Sequence, residues 1–196
     1  SKITVVNDYF SKSAVSDALR GGKAQIITCT AMFYDLDNPN KFVSEIQSVL
    51  APDGVFCIQL SYLSSMIKNM NFYDICNEHL EYYSLEVLDT LMSRHGLHLF
   101  DASLNDVNGG SARVFVARKN SKWKITDDLK KLISKEKEID LYDPKTYNDF
   151  YGKILSLSST IRNFILDEIR KKRLVIGLGA STKGNVLFQL FGIEKK

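Results

Sequence analysis

Leu97-His98-Leu99-Phe100-Asp101-Ala102-Ser103 and Ala112-Arg113-Val114-Phe115-Val116-Ala117-Arg118 flank the tripeptide Asn108-Gly109-Gly110. Two apolar, β-favouring runs around such a turn predict an antiparallel hairpin. The chain before it has a different rhythm. Residues 3–7, 25–30 and 55–60 read as short strands, and 11–19 and 39–50 as the helices between them. Pro39 stands at a first helical position, Gly21-Gly22 closes the earlier helix, and Phe42, Val43, Ile46 and Leu50 share one helical face. Pro52-Asp53-Gly54 predicts a turn. β-α-β-α-β with short connections implies parallel strands and right-handed crossovers. The expected fold is therefore α/β, a doubly wound parallel sheet ending in an antiparallel hairpin.

Residues 61–80 break that rhythm and hold the polar group Asn77-Glu78-His79. Ser84 then caps a helix with Leu85, Leu88, Leu91 and Met92 on one face, closed by His95-Gly96. Beyond the hairpin, 127–138 reads as a charged helix. Asp143-Pro144 starts a longer one running towards Lys172, with Ile154, Leu157, Ile161, Ile165 and Ile169 as its stripe. Leu174 to Ile176 predicts a further strand, followed by a glycine loop at 177–184 and a helix at 185–191.

The chain has 196 residues, 44% hydrophobic and 25% charged, with a net charge of +3. These values exclude a disordered, collagenous or disulfide-built protein. The charge balance is too mild for a nucleic-acid groove. Three cysteines without a C-x-x-C pair argue against a disulfide framework or a metal site within this chain, and point to a reducing cytoplasm. No apolar run approaches the ~20 residues that span a bilayer, so no membrane partner is expected.

Three constellations can carry chemistry. Glu78-His79 lies beyond the C-terminal end of a predicted strand, the edge where open α/β sheets hold ligands. An imidazole there can take or give a proton near neutral pH, and a carboxylate beside it raises its basicity. An isolated Glu-His in a loop is more often plain surface. Gly109-Gly110-Ser111 with Arg113 lets a backbone approach a ligand and offers a planar fork to phosphate or carboxylate; a hairpin turn with a solvated arginine is the bland reading. Gly177-Leu178-Gly179-Ala180-Ser181-Thr182-Lys183-Gly184 joins a predicted strand to a helix N-terminus, a layout that suits a phosphate. It departs from both the Walker A loop and G-x-G-x-x-G, and a tight strand-helix turn explains it equally well. Asp8-Tyr9-Phe10 and Thr30-Ala31-Met32-Phe33-Tyr34 close strands at the same edge, where they can hold an adenine or pack the rim.

Taken together, these stretches resemble the S-adenosylmethionine (SAM)-dependent ketosugar C-methyltransferases of deoxysugar biosynthesis. The resemblance rests on Asp8-Tyr9-Phe10-Ser11, Leu50-Ala51-Pro52-Asp53-Gly54-Val55, the run from Phe72 through Asn77-Glu78-His79-Leu80 to Ser84, Gly109-Gly110-Ser111-Ala112-Arg113, and Gly177 to Asn185. It implies a class I methyltransferase Rossmann-like sheet. Residues 1–119 would be the later part of the SAM domain, 120–172 a helical connector and 173–196 the start of a C-terminal Rossmann-like domain. A zinc-binding domain, the SAM glycine loop and the ribose-binding acid would precede Ser1. The implied base is His79, with Glu78 beside it. Asp8, Tyr9 and Thr30 would meet the cofactor SAM. Tyr82, Gly110, Ser111, Arg113, Gly179, Ser181, Thr182 and Lys183 would meet a nucleotide-sugar substrate. Cys76 stands where the family usually has an aromatic residue, and Asn77 and Asn108 where it often has histidine. A non-catalytic sugar-nucleotide-binding module, or a methyltransferase of this fold with another small-molecule acceptor, stays open beside the main reading.

Overall fold

The computed structural model describes residues 3–179 and 181–193. Its centre is a four-stranded mixed sheet in the order β1-β2-β4-β3. β1 (Ala24–Thr30) runs parallel to β2 (Leu50–Ser61). β3 (Leu97–Asn105) and β4 (Ser111–Arg118) form the expected antiparallel hairpin, and β4 pairs antiparallel with β2. The sheet therefore turns from parallel to antiparallel at β2.

Local signals set most helix starts. In α1 (Lys12–Ala18) the Ser11 hydroxyl accepts from Ala14 N–H. In α2 (Pro39–Val49) the Asn38 side chain accepts from Lys41 N–H at 2.9 Å, with Pro39 at the first helical position. α3 (Leu63–Asn69) lies within the stretch whose period was unreadable. In α4 (Leu85–Ser93) the Ser84 hydroxyl accepts from Val87 N–H. α5 spans Asp127–Lys137, α6 Pro144–Arg170 and α7 Thr182–Phe191. Each cap supplies an acceptor to an N–H that the helix leaves unpaired.

The main core lies on one face of the sheet. Phe56, Ile58 and Leu60 of β2 and Ala112, Val114 and Val116 of β4 alternate inward against Val43 and Ile46 of α2 and Leu85, Leu88 and Met92 of α4. The period of two in the strands and the near-four spacing in the helices make this possible. On the other face Thr28, Thr30 and Arg113 are exposed. A second apolar cluster joins Phe72 to Phe150 and Ile154 of α6 and Phe191 of α7. No helix among the described residues is long and apolar enough to cross a membrane.

Four sequence expectations are corrected. Residues 3–7 are not a strand: Ile3 and Val5 are exposed and the segment has no sheet partner. Leu174 to Ile176 is likewise extended chain without strand pairing, with Leu174 and Ile176 exposed. β-branched composition favours a strand only where a neighbouring strand and a packed face receive it. Pro52-Asp53-Gly54 is not a separate turn; it lies inside β2, where the register with β1 slips between Ala24 and Ile26. α7 begins at Thr182 rather than Asn185, because Ser181 caps it, accepting from Gly184 N–H.

Candidate active site

The parallel strand β1 ends at Thr30 and the chain turns into a short 3-10 turn, Phe33–Asp35. Phe33 is fully buried and anchors that turn in the core. Tyr34 beside it is buried too and provides the floor on which His79 rests, with ring centroids 4.2 Å apart and planes tilted by 49°. The Tyr34 carbonyl accepts from both Leu80 N–H at 2.9 Å and Glu81 N–H at 3.1 Å. His79 N–H bonds to the Cys76 carbonyl. The imidazole is thus fixed at the C-terminal end of a parallel strand and is half-buried.

Two carboxylates, Asp35 and Glu78, lie within electrostatic range of it. Asp35 is close enough to His79 and Glu78 to sense both charges; burial raises its carboxyl above the ordinary value, His79 opposes that rise and Glu78 adds to it. The Glu78 side chain turns to the second half of the chain, accepting from Thr182 Oγ1 at 3.0 Å. Its own backbone N–H, then the Thr182 hydroxyl, hold its carboxyl below the ordinary value. Lys183 pairs with Asp74, which is 1% exposed, and lies over the Tyr73 ring. Burial, and next its bond to Glu78, push the Cys76 thiol up.

The structure sorts the predicted site residues into five places. His79, Glu78, Tyr82, Thr182 and Lys183 come together with Tyr34, Asp35 and Asp74. The Tyr82 phenol reaches towards the Asp74 carbonyl at 3.5 Å, and burial raises its pKa. Thr30 and Arg113 are brought into one row on the open sheet face, Thr30 opposite Gln59 and Gln59 opposite Arg113. The Arg113 fork donates to the Gln59 side-chain oxygen Oε1 at 3.1 and 2.8 Å. Asp8 and Tyr9 lie apart from both, lining a cleft of about 370 Å³ with Phe10, Ala14 and Ile27. Gly179 and Ser181 line a smaller, largely apolar cleft between α6 and α7.

The glycine hairpin tip is required by packing against the protein itself. Gly109 has φ +82, and a Cβ there would meet Asn71 Nδ2 at 2.6 Å and Tyr73 Oη at 2.8 Å. A Cβ at Gly110 would meet Ser65 Cβ at 2.7 Å. Asn69 and Asn71 both donate side-chain N–H to the Gly109 carbonyl. Ser111 is buried and its hydroxyl donates to the Val107 carbonyl at 2.7 Å. The Gly109 carbonyl thus ties the hairpin to the segment that leads to His79, Gly110 packs closely on α3, and the Ser111 hydroxyl bonds within the hairpin tip.

Sequence reasoning gave no role to Asp35, Asp74 or Glu136. Glu136 is 4% exposed and accepts from Tyr62 Oη at 2.7 Å, Leu85 N–H at 2.8 Å and Glu86 N–H at 3.1 Å. It caps α4 from α5 and so holds the chain where the His79 segment ends. Asp35 and Asp74 had a readable signal, each being a carboxylate directly after two aromatic residues at the ligand edge. Glu136 had none, because its partners are 50 or more residues away. Among the described residues no group of three His, Cys, Asp or Glu side chains converges as a metal site.

Residues 2–101 match the family described as methyltransferase domain, and residues 106–196 match the C-methyltransferase C-terminal domain. The C-methyltransferase NovU of Streptomyces niveus is 30% identical over 176 residues, which cover 90% of this chain and 42% of that protein. The chain thus spans less than half the length of that curated relative. Among solved structures, LepI in complex with SAM overlaps 50% of this chain and 27% of its own at 9% identity and TM-score 0.40. The magnesium protoporphyrin IX methyltransferase of Synechocystis PCC 6803 overlaps 50% of this chain and 47% of its own at 10% identity and TM-score 0.38. By its match over residues 2–101, the chain belongs to the methyltransferase domain family.

Proposed function

We propose that the whole protein is a SAM-dependent C-methyltransferase of a nucleotide-linked ketosugar and that His79 is its base. The observation that carries this reading is the placement of His79: half-buried, seated on Tyr34 and held at the C-terminal rim of the parallel strand pair. In open α/β sheets that rim is where ligands lie.

The residues present fit one end of SAM. Asp8 offers a carboxylate acceptor, Tyr9 an exposed ring, and Phe10, Ala14 and Ile27 an apolar wall around the same cleft, a donor set suited to an adenine. When bound, SAM supplies an electrophilic methyl group. Everything else falls to this chain's own groups. A carbonyl in the sugar acidifies the neighbouring C–H. His79 takes that proton from the carbon, and the charge left behind spreads onto the carbonyl oxygen. Tyr34 fixes the plane from which the imidazole approaches. Tyr82 and Thr182 flank the same segment and, with Gly179 and Ser181, would contact the sugar nucleotide, with Arg113 reaching it across the open sheet face.

The test uses the full-length protein. His79→Ala is expected to abolish methyl transfer while SAM affinity, read by calorimetry, stays within about twofold. Retained turnover would remove His79 from the base role, and absence of SAM binding in the parent protein would remove the cofactor.

A further inference from the structure

The first turn of α7 grips the His79 segment at two polar points. Lys183 Nζ pairs with Asp74 Oδ1, and Thr182 Oγ1 donates to Glu78 Oε1 at 3.0 Å. Behind them the grip is apolar. Phe72 packs with Phe191 of α7, and with Phe150 and Ile154 of α6. Met70, Leu187 and Leu190 complete that contact.

The two polar points are unequal. Glu78 is exposed, whereas the Asp74 side chain is 2% exposed and the Lys183 side chain 30%. A carboxylate withdrawn from water this far needs a cation, and removing the partner of a buried charge is strongly destabilising because the remaining charge is stranded. Lys183 is the cation that meets it. A lysine committed in this way is spoken for before any phosphate arrives.

The segment is pinned along its whole length. Asn71 holds the Gly109 carbonyl, Asp74 holds Lys183, Glu78 holds Thr182, and the N–H groups of Leu80 and Glu81 hold the Tyr34 carbonyl. The two central pins come from α7. We propose that Lys183 and Asp74 are positioning residues: their ion pair, with the Thr182–Glu78 bond, orients His79, so that the second half of the chain sets the geometry of the base on the first. This role for Lys183 replaces the direct phosphate contact that its glycine loop suggests. It rests on the reading of His79 as the base, but its test does not.

The experiment follows the His79 ε1 resonance by NMR in full-length protein labelled at histidine, assigned by its disappearance in His79→Gln. Lys183→Met strands the Asp74 charge and is expected to move or broaden the His79 signal while the other histidine signals stay in place. Lys183→Arg keeps the pair and is expected to leave the signal near its original position. The double variant Asp74→Asn/Lys183→Met strands no charge but still lacks the pair, so its His79 signal is expected to stay displaced; it also serves as the informative protein if Lys183→Met alone does not fold. A His79 signal unmoved by Lys183→Met, or restored to its original position in the double variant, overturns the proposal. Methyl transfer retained by His79→Ala would remove the base role while leaving this resonance result intact, so the two failures are told apart.

Discussion

Along β2, Phe56, Ile58 and Leu60 point into one continuous apolar cluster and are at most 1% exposed. Along the segment from Asn71 to Glu81, by contrast, position is held by a side-chain amide, an ion pair, a hydroxyl and two backbone N–H groups. Apolar burial has no direction and sums over many contacts, so it supplies stability without specifying where one ring points. Hydrogen bonds contribute little net stability each but fix angle and distance. The molecule uses the first for its scaffold and the second for its candidate base.

The largest break in that comparison comes from the scaffold. Phe56→Ala is expected to lower the unfolding free energy by roughly 3–5 kcal/mol, through lost transfer energy and the cavity left behind. Urea unfolding measures it. Cys29 offers a second reading, because burial holds its thiol up to about 12 and leaves it inert in the folded protein. Labelling of Cys29 by a thiol reagent at pH 8 should accelerate in Phe56→Ala, since it must wait for opening.

Next in size is Glu136→Leu. It removes the acceptor for Tyr62, Leu85 and Glu86 and leaves buried donors orphaned, so about 2 kcal/mol is expected by the same unfolding measurement. Because this residue couples α5 to the start of α4, the loss should appear as faster amide exchange at Leu85 and Glu86. Unchanged exchange there would mean that the cap is not needed.

Asp35→Asn tests the electrostatics of the rim. Partial desolvation raises the carboxyl of the largely exposed Asp35 above its unfolded value, so its share of stability is present below that value and is lost as pH rises through the folded one. The asparagine variant escapes the loss. Its melting temperature should match the wild type in acid and exceed it at neutral pH, by a margin kept small by solvent screening and by the opposing charge of His79. A lower melting temperature at neutral pH would show that His79 outweighs burial.

The smallest effect on stability is expected for Thr182→Val, whose hydroxyl bond to Glu78 is exposed. Thermal unfolding should not register it, since exposed pairs of this kind are screened by water. The Glu78 carboxyl should nevertheless titrate closer to its ordinary value, readable by carbon NMR, because the hydroxyl helps hold it down. A large loss of stability would place Thr182 in the scaffold class instead.

Much of the architecture was legible in the residues. Ser11, Asn38, Ser84 and Asp143 each start a helix by bonding an N–H two or three positions on, and that chemistry is contained in a few adjacent residues. The apolar runs of β3 and β4 and the Asn-Gly-Gly turn between them fixed the hairpin in the same local way. The strand readings at 3–7 and 174–176 failed for the complementary reason: a strand is completed by a neighbour, and composition does not report whether one is there. His79 was visible as an imidazole beyond the C-terminal end of a predicted strand.

The sequence by itself determined the caps, the hairpin and the apolar faces, because each depends on spacings of two to four residues. Only the tertiary structure decided that Glu78 faces Thr182, 104 residues away, that Asp74 takes Lys183 as its cation, and that Glu136 ties Tyr62 to the start of α4. Those partnerships form between groups whose separation along the chain carries no period, and they exist only once the apolar clusters have brought the segments together.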